Sequence, residues 1–227
     1  RPRLTPNVRK MIRRILPVAI GAGVYQVSLL IDTIIASLLP AGSISYLFFA
    51  DRVNQLPLGV VGVAVGTALL PLMSRQLGAE DEAAAMSSQN RAIEFSLFLT
   101  LPAAVALVVI AEPIVSVLFE RGAFDATSVK ATAGALSIYA TGLPAYVLVK
   151  ALAPGFFARE DTATPVKIAV FALAVNLVLN LALMGPFLHL GIAAATAVSA
   201  WCNALILGFV LHRRGHLVLD ARILGRL

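Results

Sequence analysis

The 227-residue sequence is poor in the residues that most often bind metals or perform catalysis. Its one cysteine, Cys202, can form no intrachain disulfide and is interpreted as a small buried hydrophobic residue. Its three histidines, His189, His212 and His216, belong to no metal-binding or nucleophile motif, and the sequence has no phosphate-binding Gly-x-x-x-x-Gly-Lys loop. We therefore expect no enzyme, no catalytic residues and no cofactor.

Charged residues are also scarce, at 13% of the sequence, whereas hydrophobic residues make up 59%. A typical soluble domain has about 25% charged and about 45–50% apolar residues. A water-soluble fold is therefore excluded, and the chain is expected to lie in a membrane. The net charge of +6 comes from residues that cluster between apolar runs. This pattern is typical of membrane orientation signals, so no nucleic-acid partner is expected.

Six apolar runs each exceed about 18 residues, the usual length of a candidate membrane helix. They cover residues 15–39, 44–73, 92–119, 131–158, 166–186 and 188–211. None of them alternates polar and apolar residues, as the strands of a membrane barrel do. The sequence predicts an all-α, polytopic bundle of six transmembrane helices over 15–212, preceded by a basic lead-in at 1–14 and followed by a tail at 213–227.

Positively charged residues lie mainly on one side of this predicted bundle. Of the 18 Lys and Arg residues, 14 lie in the lead-in, in the loops after the second and fourth runs, and in the tail. Arg121 and Lys130 lie on the opposite side. Because cytoplasmic loops carry an excess of Lys and Arg, both ends of the chain are predicted to be cytoplasmic. The segment 78–90 is expected to be either a short helix on the membrane surface or a solvated loop.

Polar residues interrupt the second run. These are Asp51, Arg52, Asn54 and Gln55, followed by Pro57, which is expected to kink the helix. Ionisable residues inside membrane spans usually face the bundle interior or an aqueous cavity. Asp51 and Arg52 lie about 100° apart around a helix, so they cannot form one optimal pair with each other. Arg52 is interpreted as a cavity residue that binds an anionic group such as phosphate, which its planar guanidinium matches. The alternative is a structural ion pair with an acid on another helix.

Polar residues in three other runs form a second candidate site. Asp32 lies deep in the first run, Asn176 and Asn180 share one face of the fifth, and Thr196 lies in the sixth. A carboxylate together with amide and hydroxyl oxygens is chemically suited to Na⁺ or H⁺. The alternative is hydrogen bonding between helices, which is common in membrane bundles.

Two further features have structural interpretations. Lys150 lies near the end of the fourth run and is expected to extend its ammonium toward the membrane interface. Gly59, Gly62 and Gly66 place small residues along one face of the second helix, so they predict close helix packing there.

Three segments resemble motifs of a known family. Residues 45–71, which begin SYLFFADRVNQLP and end GTALLP, closely resemble the MurJ/MviN family of lipid II flippases. The segments FERGAF at 119–124 and FFAREDTATPV at 156–166 resemble further motifs of that family. The motifs occur in the family's order, and the resemblance covers essentially the whole chain. The family belongs to the multidrug/oligosaccharidyl-lipid/polysaccharide exporter superfamily, whose members have two six-helix lobes around a central cavity.

The resemblance implies that this chain corresponds to the second lobe of a transporter in the bacterial inner membrane. It implies movement of lipid II, the undecaprenyl-pyrophosphate-linked peptidoglycan precursor, from the cytoplasmic to the periplasmic leaflet by alternating access. The implied partners are lipid II, membrane lipids and an N-terminal lobe. Arg52 falls at the position of a family cavity arginine, so it is expected to contact the pyrophosphate, with Asp51, Asn54 and Gln55 beside it. A cation site has been proposed in the family at the positions of Asp32, Asn176, Asn180 and Thr196.

Two alternatives remain at this point. A related exporter would carry other polysaccharide-linked lipids or cationic drugs, although a cavity arginine disfavours a cationic substrate. A non-transporting scaffold would bind lipids or cell-wall enzymes, although polar residues inside the spans argue against it.

Overall fold

The computed structural model of this chain describes residue 23 and residues 26–217. The predicted lead-in, the start of the first apolar run and residues 218–227 of the predicted tail lie outside the described residues. Within the described ranges the chain forms seven helices: α1 (Gln26–Ser37), α2 (Ser43–Pro57), α3 (Val63–Gly78), α4 (Glu82–Val109), α5 (Ala111–Phe119), α6 (Ala126–Phe157) and α7 (Ala163–Arg213). The predicted all-α fold class is confirmed.

Four helical stretches are long and apolar enough to cross a bilayer: Ser43–Gly78, Glu82–Val109, Ala126–Phe157 and Ala163–Arg213. In the first of these, α2 continues into α3 through a π-helical turn, Leu58–Gly62. Pro57 has no N–H to donate to the carbonyl of Val53, and its ring crowds the preceding turn. The structure therefore has a widened π turn where the sequence predicts a kink.

The start of α4 corrects the prediction for 78–90. Most of this segment is neither a solvated loop nor a separate surface helix, because α4 begins at Glu82 and runs without a break to Val109. The Asp81 carboxylate accepts a hydrogen bond of 2.9 Å from the N–H of Ala84 and so caps the helix. The third predicted span is also interrupted at Ile110, since Pro113 cannot donate to the carbonyl of Val109.

The 51 residues of α7 form two antiparallel arms rather than one straight helix. Leu188 has a non-helical backbone, with φ 51° and ψ −132°. A Cβ atom on Gly191 would lie 2.4 Å from the carbonyl oxygen of Leu183, although residues eight apart in a straight helix are about 12 Å apart. The chain therefore reverses direction here. The first arm (163–187) and the second arm (189–213) correspond to the fifth and sixth predicted spans.

Side-chain contacts identify the two ends of the bundle. At one end, Arg159 after α6 pairs with Glu82 of α4 at 2.7 Å, and Arg214 after α7 pairs with Asp161 at 2.6 Å. At the other end, the Tyr46 ring of α2 lies 5.4 Å from the ring of His189, where the two arms of α7 meet. The loops after α3 and α6 and the segment after α7 therefore share one end, as their positive charges predict.

Helix α6 lies at the centre and packs against α2, α3, α4, α5 and α7. Its interface is lined with small and medium side chains, and Ala135, Leu136, Ala140 and Val147 are fully buried. Large apolar residues on the outer helices are exposed instead, as at Val117, which is 87% exposed. An apolar outer surface around a packed centre is the arrangement of a membrane helix bundle.

Candidate functional site

The polar residues of α2 form one connected group. Gln55 donates a hydrogen bond from Nε2 to the carboxylate of Asp51 and accepts one of 3.4 Å from Nη1 of Arg52. The Arg52 guanidinium carbon lies 4.8 Å from the ring centre of Phe48, a cation–π contact. The four-residue and three-residue spacings bring these side chains onto neighbouring positions of the helix. Gln55 thus joins the two charged residues, and Phe48 supports the guanidinium.

Asn54 points to a different part of the site. It is 2% exposed and, with Asp32 and Asp51, lines a cavity of about 170 Å³, the small cavity. Its Oδ1 atom has no hydrogen-bond partner among the described residues. Arg52 lines neither this cavity nor the larger one beside it, and its side chain is exposed on α2. The predicted polar band is therefore divided between a cavity wall and the adjoining surface.

The second candidate site is assembled from α1 and the two arms of α7. The Nδ2 atom of Asn180 donates to Oδ1 of Asp32 at 2.6 Å and to Oδ1 of Asn176 at 3.0 Å. Asn176 in turn donates to Oγ1 of Thr196 at 3.4 Å. Asn176 and Asn180 are almost fully buried. The structure therefore brings together all four residues that the sequence nominates, and we call them the α1–α7 cluster.

One acceptor in the α1–α7 cluster has no partner. The Oδ1 atom of Asn180 is buried and receives no hydrogen bond from any described residue. A buried acceptor that receives no hydrogen bond lowers the stability of the fold, so its presence in a structure calls for an explanation such as a bound ligand. Together with the Asp32 carboxylate it gives the cluster oxygen atoms that are chemically able to bind a cation.

A larger cavity of about 580 Å³ adjoins the small cavity, because the two share Ser28, Leu58, Tyr146 and Thr196 in their walls. We call it the large cavity. Its polar wall residues include Gln55, Lys150, Asn176, Thr196, Ser199 and Asn203. Cavities of about 300–1,000 Å³ are typical of ligand sites. Residues of both candidate sites therefore line one pair of adjoining cavities, although Arg52 lines neither of them.

Lys150 is the residue of this site that sequence reasoning missed. The sequence predicts that it extends toward the membrane interface, whereas in the structure it lines the large cavity. A Cβ atom on Gly62 would lie 2.7 Å from Cδ of Lys150, so the lysine stem occupies the space that this glycine leaves. The sequence did contain one signal for Lys150, the face of small residues that includes Gly62. In the structure, the side chain that packs against Gly62 is that of Lys150.

A separate group of polar residues stabilises the end of the bundle that holds Asp161 and Arg214. Asp161 accepts hydrogen bonds from the backbone N–H and the hydroxyl of Thr164 and pairs with Arg214. Burial raises the pKa of the Asp161 carboxyl, but these hydrogen bonds and the charge of Arg214 outweigh it and lower the pKa to about 2. Asp161 is therefore ionised at neutral pH and connects the start of α7 with the segment after it.

Comparison with known proteins gives consistent matches. The family model described as lipid II flippase MurJ matches residues 2–225. A probable lipid II flippase MurJ of Rhizobium meliloti strain 1021 is 52% identical over 100% of this chain and 42% of its own length. One of Rickettsia prowazekii strain Madrid E is 41% identical over 87% of this chain and 39% of its own length. The chain thus spans about two fifths of these relatives.

Solved structures agree with this assignment. The lipid II flippase MurJ in an inward closed conformation has a TM-score of 0.81 and 26% identity, covering 99% of this chain and 48% of that one. An outward-facing multidrug resistance MATE family transporter of the MOP superfamily has a TM-score of 0.82 at 19% identity, over 93% of this chain and 47% of that one, and shares the fold. Because the family model matches nearly the whole chain, the chain belongs to the family of the lipid II flippase MurJ.

Proposed function

We propose that this chain is one lobe of a lipid II flippase in the bacterial inner membrane and that a second lobe completes its cavity. The family match over residues 2–225 carries this proposal. The chain covers 48% of the similar flippase structure, which is the share expected of one lobe of two. The excess of Lys and Arg at the end that holds Arg159 and Arg214 supports a cytoplasmic location for that end.

Arg52 is the proposed contact for the pyrophosphate of lipid II. The guanidinium has five N–H donors, and among the described residues one hydrogen bond, to Gln55, is formed. Its side chain is exposed, so its remaining donors are within reach of a ligand. Phe48 supports the plane of the guanidinium, which favours a fixed, two-point contact with phosphate oxygens. Asp51, held by Gln55, balances the charge when the substrate has left.

The α1–α7 cluster is the proposed cation site of the same transporter. Asp32 supplies the negative charge, and the unpartnered Oδ1 of Asn180 and the hydroxyl of Thr196 supply neutral oxygens. The small cavity is lined by both Asp32 and Asp51, so a cation at the cluster lies near the substrate contact. This arrangement couples ion binding to substrate binding through electrostatics in a low-dielectric space.

Rescue of growth tests the proposed function. The full-length protein that contains this chain is expressed in a bacterium depleted of its own lipid II flippase, alone and as Arg52→Ala and Arg52→Lys. The unchanged protein is expected to restore growth, and both variants are expected to fail at equal membrane levels, because a lysine cannot make the two-point contact. Arg75→Ala, at an exposed end of α3 away from both cavities, is the matched control and should rescue.

Two results would contradict the proposal in different ways. A well-expressed unchanged protein that fails to rescue argues against lipid II as the substrate. Full rescue by Arg52→Ala leaves the transport assignment in place but removes the role given to Arg52.

A further inference from the structure

Aromatic side chains join three helices at the end of the bundle opposite Arg159 and Arg214, which we call the outer end. The ring centres of Tyr46 on α2 and His189 lie 5.4 Å apart, with the rings tilted by 59°. The Nε2 atom of His189 lies 3.2 Å from the carbonyl oxygen of Ala131, near the start of α6. Tyr46 and His189, which we call the outer latch, thus connect α2 to α6 and to the tip where the two arms of α7 meet.

The tip of α7 holds its side of the outer latch in a fixed position. Leu188, directly before His189, has φ 51° and ψ −132°, a conformation that residues other than glycine rarely adopt. Such a backbone persists only where the surrounding structure fixes it. The two arms are also in close contact, because a Cβ atom on Gly191 would lie 2.4 Å from the carbonyl oxygen of Leu183. Opening of the outer latch therefore requires movement of Tyr46 together with α2.

Phe49, three residues after Tyr46, makes a second and larger aromatic contact. Its ring centre lies 4.7 Å from that of Phe119 and 5.3 Å from that of Phe124, and these two lie 6.2 Å apart. Both partners belong to the FERGAF motif, which ends α5 and precedes α6. Three rings in mutual contact hold α2 more strongly than the single ring pair of the outer latch does. When α2 moves, the outer latch therefore separates first, and Phe49 is the pivot.

The pivot lies midway between the outer latch and the proposed substrate contact. Tyr46 and Arg52 are each three residues from Phe49 in one continuous helix, which is about 4.5 Å along its axis in opposite directions. Rotation of α2 about Phe49 thus moves these two residues in opposite senses. The π-helical turn Leu58–Gly62 follows α2 and allows α2 to tilt relative to α3, since π turns and prolines are places where helices bend.

We infer that the outer latch keeps the outer end of this lobe closed and opens when α2 pivots about Phe49, so that ligand binding at Arg52 controls access from that end. The small cavity is lined by Ile44 and Leu47, which flank Tyr46 on α2, so separation of the latch leads directly to this cavity. Tyr46 and its partner are positioning residues and contact no substrate. The inference rests on the proposed function, because a transporter that opens one side at a time needs such a closure.

Thiol labelling of the full-length protein tests the outer latch. The reporter is Ser28→Cys, which lines both cavities, in a protein whose other cysteines, including Cys202, are replaced by serine. A membrane-impermeant maleimide is added to membrane vesicles of either orientation, so that it reaches the protein from one side at a time. Tyr46→Ala and His189→Ala are each expected to raise the labelling rate from the outer end about two- to tenfold, the scale of one aromatic pair.

Matched variants separate the outer latch from general packing. Tyr46→Phe keeps the ring and should label at the rate of the unchanged protein. Phe98→Ala removes a ring of similar size from the outer surface of α4, where Phe98 is 67% exposed, and should do the same. The double variant Tyr46→Ala/His189→Ala should label no faster than the faster single variant, because both remove the same contact. Unchanged rates in both single variants, or rates raised equally from both sides, would overturn the inference.

Reversible cross-linking tests whether the outer latch must open during transport. Tyr46→Cys and His189→Cys are combined and joined by a short bis-methanethiosulfonate, which a reductant releases. Cross-linking is expected to stop the movement of lipid II, and reduction is expected to restore it. Each single cysteine variant, treated in the same way, should respond to neither reagent. Equal lipid II movement before and after reduction of the cross-linked pair would show that the latch stays closed during transport, and the inference would be wrong.

The two readouts separate this inference from the proposed function. Labelling needs no lipid II, so it measures closure of the outer end whatever the substrate is. If the unchanged protein moves no lipid II but Tyr46→Ala raises labelling from the outer end alone, the proposed substrate is wrong and the outer latch stands. If lipid II moves and neither labelling nor cross-linking has an effect, the proposed function stands and the inference is refuted.

Discussion

Replacing Asp32 by Asn tests whether the α1–α7 cluster binds a cation. The substitution keeps the size of the side chain and its contact with Asn180 but removes the charge. Two opposing effects act on the ion-free protein. The hydrogen bond from Asn180, 2.6 Å long in the structure, loses its charge assistance, while the cost of burying a carboxylate disappears. The informative quantity is therefore the response to Na⁺ rather than the basal stability.

The expected increase in stability follows from the thermodynamic linkage between Na⁺ binding and folding. At a Na⁺ concentration ten times the dissociation constant, a site that exists in the folded state alone stabilises it by about 1.4 kcal/mol. For a chain more than twice as long as this one, whose entropy of unfolding is about 1 kcal/mol/K, that corresponds to a rise in Tm of about 1 °C. Asp32→Asn removes the negative ligand, so the rise should vanish.

Thermal unfolding of the purified full-length protein in NaCl and in choline chloride of equal ionic strength measures this effect. Asp125→Asn is the matched control, because Asp125 caps α6 outside the cluster and asparagine caps equally well. The control should keep the full Na⁺ response. An equal response in Asp32→Asn and the unchanged protein would refute a cation site at Asp32. A response to pH instead of Na⁺, lost in Asp32→Asn, would identify the cation as a proton.

Two further predictions concern the bundle itself. Because the pKa of Asp161 is about 2 and its ordinary value is 3.8, its pair with Arg214 stabilises the fold above about pH 4, and this contribution is lost as the pH falls toward 2. Asp161→Asn should flatten that acid dependence in thermal unfolding; an unchanged pH profile would contradict the assignment. Gly191→Ala should lower stability by about 1–3 kcal/mol or prevent folding, because its Cβ would meet the carbonyl oxygen of Leu183 at 2.4 Å. Gly185→Ala, with no neighbour within 4 Å, should unfold at the temperature of the unchanged protein.

The sequence was sufficient for the all-α fold class and for the order of the long apolar helices because a membrane helix needs about 20 apolar residues in a row, which is a local property. It was not sufficient for the start of α4, where the polar residues before 92 obscure a helix that continues beyond the apolar run. The interruption at Ile110 was also missed, although Pro113 lies within reach of it. Such boundaries depend on capping and proline geometry rather than on hydrophobicity.

The candidate site shows the same division between local and tertiary information. The four-residue spacing of Asn176 and Asn180 predicts one helix face, but their contact with Asp32 depends on how α1 packs against α7. Arg52 could be singled out because a charge in an apolar run is rare. Lys150 was as rare, yet its place in the cavity wall depends on the space at Gly62 on another helix, and the glycine face alone does not identify the residue that fills that space.

The most direct test of the account measures where lipid II lies in the membrane. Cells depleted of their own flippase would express the full-length protein, unchanged or with Arg52→Ala, at equal membrane levels, and the fraction of lipid II in the periplasmic leaflet would be quantified. The account predicts that the unchanged protein restores this fraction and that Arg52→Ala leaves lipid II in the cytoplasmic leaflet. Lipid II that stays in the cytoplasmic leaflet despite full levels of the unchanged protein would contradict the account.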